Sequence, residues 1–262
     1  NDGLGDDLCA TVNRGAQGRL SRLDAVPGTD SLATLYSVVT CLMGMVPLEH
    51  EYKLMGLAPY ASALGAEAVC GKLRPLFEFP ADRPLAWRRT ARCPETGHIY
   101  RFLRDLLELN RFDHICGGLQ KFTEEMLCAW VRRCMAHTGI RRLALSGGIF
   151  MNVKANKLLG ELPEVESLFV FPSCGDESNA FGAAYHAYAE RLPPAPLAGR
   201  LAPLADLYLG PAFSDEEIAP ALAESGVPAG YQVERCPDIE ARVAELLAAG
   251  RIVARFKGRA EF

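Results

Sequence analysis

The chain has 262 residues, of which 49% are hydrophobic and 23% are charged, and its net charge is −4. This composition is typical of a globular protein with one large domain or two ordinary ones, and it gives no bulk positive field that would attract DNA or RNA. No apolar run approaches the ~20 residues that span a bilayer, so we expect neither a nucleic acid nor a membrane as a partner.

The nine cysteines are odd in number and form no CxxC pair, and the five histidines form no HxxxH or HExxH pair. This pattern is typical of reduced, mostly buried thiols rather than of a disulfide framework or a zinc site. Together with the lack of a recognisable signal peptide, it predicts a cytoplasmic protein. Because the first residue is Asn1 and not Met, we expect a piece of a longer chain.

The first predicted elements are a turn over 2–7 and a strand over 8–12. An acidic, glycine-containing turn beside a strand is found at phosphate and metal sites, and it is equally common in hairpins without such a role. A helix should follow over 31–44, where apolar residues recur at helical spacing, with Asp30 or Ser31 as its cap.

Residues 49–60 mix charges with a glycine and a proline, which favours a short helix that breaks into a loop. In this segment Lys53 either binds phosphate or forms a surface ion pair. Residues 72–100 show no clear helical or strand periodicity, which predicts an irregular insertion over a cleft. Helices are then predicted over 101–109 and 117–137, and Gly139 is expected to end the second helix.

Two strand–turn–helix units come next, and they are the most informative part of the chain, because their two turns are expected to face one nucleotide cleft. The first is a buried strand over 143–145, a turn at Ser146-Gly147-Gly148 and a helix over 152–162. The second is a buried strand over 168–171 and a helix over 175–190, whose alanines should pack closely. Alternating strands and helices predict the α/β class with a largely parallel sheet.

A Pro/Ala/Gly-rich stretch over 192–206 is the predicted linker between a first domain at 1–191 and the truncated start of a second α/β domain at 207–262. In the second domain Ser214 and Glu217 predict a capping box. The predicted elements alternate: strand 207–209, helix 214–225, strand 232–235, helix 238–249 and strand 252–256.

The glycines of the first turn would let a nucleotide approach the backbone, because glycine has no Cβ. Asn152 and Asn156, one helical turn apart, could present amides to a purine or ribose. A turn with no ligand is an equal alternative. In the second turn, Asp176 either caps the helix or holds a divalent metal ion over a triphosphate.

Several blocks together resemble the NodU/CmcH carbamoyltransferase family, and the similarity runs nearly from end to end. The most specific block is HEYKLMGLAPYA, whereas the glycine turns alone are not specific. In chain order the blocks are DGLGDD, SLATLYSVVT, HEYKLMGLAPYA, LALSGGIFMN, GDESNAFGAA and GRAEF.

The resemblance implies an actin-like or hexokinase-like (ribonuclease H-like) ATPase lobe, related to the tRNA threonylcarbamoyl transferases. It also implies an ATP-dependent O-carbamoyltransferase with a divalent metal ion, Fe²⁺ or Mg²⁺. The carbamoyl group of carbamoyl phosphate would pass through carbamoyl-adenylate to a hydroxyl of a sugar or other small-molecule acceptor. A homodimer is one assembly consistent with this reading.

The resemblance also assigns roles to particular residues of this chain. The nucleotide would be held by Ser146, Gly147, Gly148, Asn152 and Gly175. The metal ligands would be Asp176 and Asp2, with Lys53 near the phosphates and Arg259 in the carbamoyl-phosphate site.

Three departures from the family pattern limit these implications. The chain starts after the segment that carries the family's metal-binding histidines, and it stops at GRAEF, so we expect this piece alone to be inactive. His50 replaces a glycine, and Phe150 is bulkier than usual. The alternatives are a sugar kinase or other ATPase of the same fold, and a non-catalytic nucleotide-binding module. The EYKLMGLAPY block favours the carbamoyltransferase.

Overall fold

The computed structural model describes residues 2–191 and 206–260, which belong to two units. The first unit covers Asn1–Leu201 and the second covers Ala202–Phe262. The predicted linker over 192–206 lies outside the described residues, except for Asp206. Helices and strands both occur, so the predicted mixed α/β class is confirmed.

The first unit begins with an antiparallel hairpin of β1 (Leu8–Ala16) and β2 (Arg19–Pro27). Gln17 and Gly18 form its two-residue loop with φ values of 52° and 73°, the backbone that matches the twist of a hairpin. The predicted strand over 8–12 is therefore correct in place but too short. The first residues of β1 reach the core, whereas the tip of the hairpin is exposed.

Five α-helices lie between the hairpin and Gly139. Ser31, one of the two predicted caps, begins the first of them, since its hydroxyl accepts the N–H of Thr34 at 3.0 Å. The last of them, the longest in the described chain, ends at Gly139 with φ of 70°, also as predicted. The helices are α1 (Leu32–Leu42), α2 (Glu51–Leu57), α3 (Ala63–Leu73), α4 (Tyr100–Leu107) and α5 (Phe112–Thr138).

Helix α3 was not predicted, and it packs against α5 through glycines. A Cβ at Gly117 would lie 3.1 Å from the Cβ of Ala66, and one at Gly118 would lie 2.4 Å from the Cβ of Val69. Only residues without a side chain allow the two backbones to come this close. These glycines therefore set the distance between α3 and α5.

The segment between α3 and α4 is irregular, as predicted, but it packs onto the core. Its regular structure includes a short antiparallel pair, β3 (Phe77–Glu78) and β4 (Arg88–Arg89). The ring of Trp87 meets that of Trp130 edge to face, with centroids 4.8 Å apart. The Trp87 indole donates to the carbonyl of Asp30 at 2.8 Å, so the buried ring keeps its polar atom satisfied.

Strands β5 (Arg142–Leu145) and β6 (Ser167–Val170) form a parallel pair. Helix α6 (Val153–Gly160) follows β5, and helix α7 (Ser178–Arg191) follows β6. The expectation that both strands are buried is wrong, because residues along each strand alternate between partly buried and exposed. The predicted close-packing alanine face of α7 is also exposed. In the described residues the strands form three two-stranded sheets, of which one is parallel, so the prediction of a largely parallel sheet is wrong.

The second unit contains helices α8 (Asp215–Ser225) and α9 (Ile239–Ala248). The capping box is confirmed, since the N–H of Ser214 donates to the Glu217 carboxylate at 2.8 Å. The strands predicted over 207–209, 232–235 and 252–256 do not form in the described residues. Apolar, β-branched segments favour strands only where a partner strand accepts their backbone hydrogen bonds.

The close approach of α3 and α5 leads to a test with two matched substitutions. Gly118→Ala should destabilise the first unit by about 1–3 kcal/mol, because the added methyl group meets Val69 and the Ala66 carbonyl. Gly71→Ala on α3 has open space around the new Cβ, so it should stabilise by up to ~1 kcal/mol. Urea unfolding followed by circular dichroism measures both. Equal stability of the two variants would contradict this packing.

Candidate functional site

The turns after β5 and β6 are joined by a backbone hydrogen bond. The N–H of Gly147 donates to the carbonyl of Cys174 at 2.9 Å. Gly147 has φ of 101° and ψ of 152°, a backbone conformation that is essentially restricted to glycine. Because Leu145 pairs with Val170 in parallel register, both turns lie at the same edge of the sheet. The predicted proximity of the two turns is thus confirmed.

The carboxylate of Asp2 lies against the first turn. A Cβ at Gly148 would be 3.2 Å from Asp2 Oδ1, so a side chain there would press on the carboxylate. The backbone of Asp2 is fixed on two sides: its N–H donates to the Cys9 carbonyl at 2.7 Å, and its carbonyl accepts the Ser31 hydroxyl at 3.3 Å. Strand β1 and the cap of α1 therefore position one predicted metal ligand at the glycine turn.

The second turn leads directly into α7. The carbonyl of Gly175 accepts the Ser178 hydroxyl at 2.8 Å, and the carbonyl of Asp176 accepts the N–H of Asn179 at 3.0 Å. A Cβ at Gly175 would lie 2.7 Å from Met151 Cε, so the two turns are also in close contact here. Asp176 is an exposed residue, and its hydrogen bond with Asn179 is made by its backbone carbonyl.

Glu177 was not among the predicted site residues, yet it braces the second turn. Its carboxylate accepts a short hydrogen bond from the Ser173 hydroxyl. That hydrogen bond and neighbouring backbone N–H groups lower the pKa of Glu177. The spacing of a serine four residues before a glutamate is the sequence signal that could have indicated this contact.

Asn152 has a structural role in the fold. Its Oδ1 accepts the N–H of Ala155 at 3.0 Å and so caps α6, and its amide bonds to Gln120 on α5. Asn156 donates to the Phe150 carbonyl at 2.6 Å, within the first turn. Both amides thus make contacts inside the first unit. A direct nucleotide contact by Asn152 stays a prediction.

Lys53 lies on α2 and is partly buried, with its ammonium 5.7 Å from the centre of the Tyr52 ring. The neighbouring Glu51 carboxylate accepts the N–H of Leu48 at 2.7 Å and a short hydrogen bond from the Ser37 hydroxyl. Glu51 therefore braces the start of α2. The phosphate role of Lys53 stays a prediction.

Arg259 belongs to the second unit, where its guanidinium holds backbone carbonyls. Its Nε donates to Gly210 at 3.0 Å and one terminal nitrogen donates to Leu209 at 3.0 Å. Backbone hydrogen bonds of Ala260 with Gly210 and with Pro211 hold the same two segments together. The expected role of Arg259 in carbamoyl-phosphate binding also stays a prediction.

Two further observations bear on ligands. In the ranges 2–191 and 206–260, no three His, Cys, Asp or Glu side chains are grouped so that they could hold a metal ion. In the same ranges, no helix is both long and apolar enough to cross a membrane.

A comparison with known families covers both turns. Residues 2–185 match the model of the carbamoyltransferase N-terminus, a range that includes the hairpin, helices α1 to α6, both turns and the first part of α7. The chain therefore belongs to the carbamoyltransferase family.

Three relatives illustrate the range of similarity. The chain is 28% identical to nodulation protein NolNO of Sinorhizobium fredii and 27% identical to nodulation protein NolO of Bradyrhizobium diazoefficiens, over its whole length in both cases. It spans 37% and 46% of those two proteins. A tRNA N6-adenosine threonylcarbamoyltransferase of Cytophaga hutchinsonii is 29% identical over 53% of this chain and 43% of its own length.

The cysteines provide a test of the packing at the site. All nine are free thiols, and Cys174, whose carbonyl joins the two turns, is 2% exposed. Burial raises the pKa of Cys174, and it raises that of Cys9 to about 12, so both thiols stay protonated at neutral pH. Iodoacetamide at pH 8 should therefore alkylate the exposed Cys41 first and reach Cys9 and Cys174 only after unfolding.

Peptide mapping by mass spectrometry measures the order of alkylation, and labelling in urea is the control in which all nine thiols react. Alkylation of Cys174 in the folded protein as fast as that of Cys41 would contradict the packing of the second turn.

Proposed function

We propose that this chain is the nucleotide-binding part of an ATP-dependent O-carbamoyltransferase with an actin-like ATPase fold. Hydrolysis of carbamoyl phosphate would give carbamate and inorganic phosphate, and attack of the carbamate oxygen on the α-phosphate of ATP would give carbamoyl-adenylate and release pyrophosphate. The acceptor hydroxyl of a sugar or another small molecule would then take the carbamoyl group and release AMP. The proposal extends to the whole protein, since the chain spans less than half of the length of the two nodulation proteins.

One observation carries the proposal: two glycine-containing turns and a carboxylate meet at one sheet edge. The bond from Gly147 to Cys174 joins the turns, and the carboxylate of Asp2 lies against Gly148. Glycines without side chains let a phosphate or ribose approach the backbone closely. The start of α7 follows the second turn, and a helix N-terminus favours negative charge. Such an edge suits a nucleoside triphosphate.

The chain's own residues would bind and orient the substrates. The turn at Ser146, Gly147 and Gly148 and the turn at Gly175 would hold the nucleotide. Lys53 would neutralise phosphate charge, and Arg259 would bind carbamoyl phosphate. Cationic groups near the reacting carbonyl stabilise the negative charge that develops during acyl transfer.

Asp2 and Asp176 would hold the divalent metal ion, Fe²⁺ or Mg²⁺. One oxygen of Asp2 accepts the N–H of Gly3 at 2.8 Å, which fixes the carboxylate beside the turn. Two carboxylates together with phosphate oxygens suit Mg²⁺, whereas Fe²⁺ would need further ligands of the kind that histidines supply. When bound, the ion would neutralise phosphate charge and polarise the group to be transferred.

The test uses the full-length protein with ATP and carbamoyl phosphate. We expect release of pyrophosphate and AMP from ATP only when carbamoyl phosphate is present, together with transfer of radiolabel from carbamoyl phosphate to a panel of hydroxylated acceptors. Release of ADP driven by a free sugar would instead indicate a sugar kinase. Tight ATP binding without turnover would indicate a non-catalytic module.

A pair of substitutions tests the metal-ligand assignment. Asp176→Ala should lower carbamoyl transfer by roughly 10²-fold or more, because a charged group acting on the reacting phosphates is lost. Asp105→Ala removes another exposed carboxylate, one on α4 that pairs with Arg104, so transfer should be unchanged. Metal content and melting temperature are measured for both variants. Undiminished transfer by a stable Asp176→Ala variant would exclude Asp176 as a metal ligand.

A further inference from the structure

A buried polar network connects α1, α5 and Asn152, the residue that follows the short segment after the Ser146-Gly147-Gly148 turn. Its centre is Gln120 on α5, which is 2% exposed. Tyr36 of α1 donates its hydroxyl to Gln120 Oε1 at 3.2 Å. Burial raises the pKa of Tyr36, so this hydroxyl stays protonated and acts as the donor.

Gln120 and Asn152 form a reciprocal pair of amide hydrogen bonds. Gln120 Nε2 donates to Asn152 Oδ1 at 2.9 Å, and Asn152 Nδ2 donates to Gln120 Oε1 at 2.8 Å. The second N–H of Gln120 reaches Glu124 Oε1 at 2.7 Å. With the hydroxyl of Tyr36, both donors and both lone pairs of the Gln120 amide are used. This complete set of contacts leaves the side chain one orientation.

Asn152 is where this network reaches the nucleotide turn. The turn continues as a short 3-10 segment over Gly148–Met151, and Asn152 ends that segment and caps α6. The start of the segment is fixed by the bond from Gly147 to Cys174. The turn is thus held at one end by the sheet edge and at the other end by Gln120.

We propose that Gln120 is a positioning residue that fixes the Ser146–Asn152 turn in the conformation that binds ATP. The inference rests on the proposed function, because it takes this turn as the nucleotide site. Gln120 acts through Asn152 and touches no reacting group. Removing its amide leaves the Asn152 amide buried without its partner, so the turn should shift or loosen.

Three substitutions separate positioning from general stability. Gln120→Met keeps the length of the side chain and removes all of its hydrogen bonds. Gln120→Glu keeps the shape and the acceptor contacts but loses both donor contacts, and it serves if the methionine variant fails to fold. Thr123→Val is the matched control on α5: Thr123 is 3% exposed, and its hydroxyl bonds to the Leu119 carbonyl of its own helix.

Two measurements on the full-length protein decide the proposal. The first is the dissociation constant of Mg²⁺-ATP by calorimetry without carbamoyl phosphate, and the second is hydrogen exchange over 146–152. We expect Gln120→Met or Gln120→Glu to weaken ATP binding by about tenfold or more and to speed exchange in this segment. Thr123→Val should change neither quantity.

Wild-type ATP affinity and exchange in the Gln120 variants, or an equal effect of Thr123→Val, would overturn the proposal. Failure of the proposed function has a different signature, since the wild-type protein would then bind no ATP. In that case exchange over 146–152 alone decides whether Gln120 positions the turn: faster exchange supports this role, and unchanged exchange overturns it.

Discussion

The arrangement of this site depends on one backbone hydrogen bond, from the N–H of Gly147 to the carbonyl of Cys174. It joins the turns that follow two parallel strands, and it forms at a φ of 101° that a residue with a side chain rarely adopts. Once the turns are joined, the remaining contacts of the site become geometrically possible. Asp2 can lie against Gly148, and Gly175 can lie beside Met151. Glycine is thus required here for the backbone conformation as well as for space.

The helices of the first unit support the sheet edge that carries the two turns. Helix α5 contacts α3 through Gly117 and Gly118 on one part of its surface, and it reaches α6 through Gln120. Its tryptophan, Trp130, packs on Trp87 and so ties the irregular segment to the same core. A single long helix therefore connects the core to the end of the turn. A change in the position of α5 would therefore shift Asn152, which caps α6.

The sequence predicted the parts of the structure whose signals are local. Helix α5 has a clear apolar period, and the shared edge of the two turns follows from parallel strands. Helix α3 was not predicted, because its two glycines and small residues obscure the helical spacing of its apolar residues. The burial of β5 was overestimated, since an apolar run does not reveal how many strands cover it. The hydrogen-bond partner of Asn152 was not predictable. Gln120 lies 32 residues earlier in the chain, and the two side chains meet only because α5 packs against the start of α6.

The central claim is that the two joined turns bind ATP together. A crystal structure of the full-length protein with a non-hydrolysable ATP analogue and Mg²⁺ tests it most directly. We predict density for the phosphates between Gly147-Gly148 and Asp176, with the bond from Gly147 to Cys174 intact. Analogue bound elsewhere on the protein, or bound here with the two turns separated, would contradict the account.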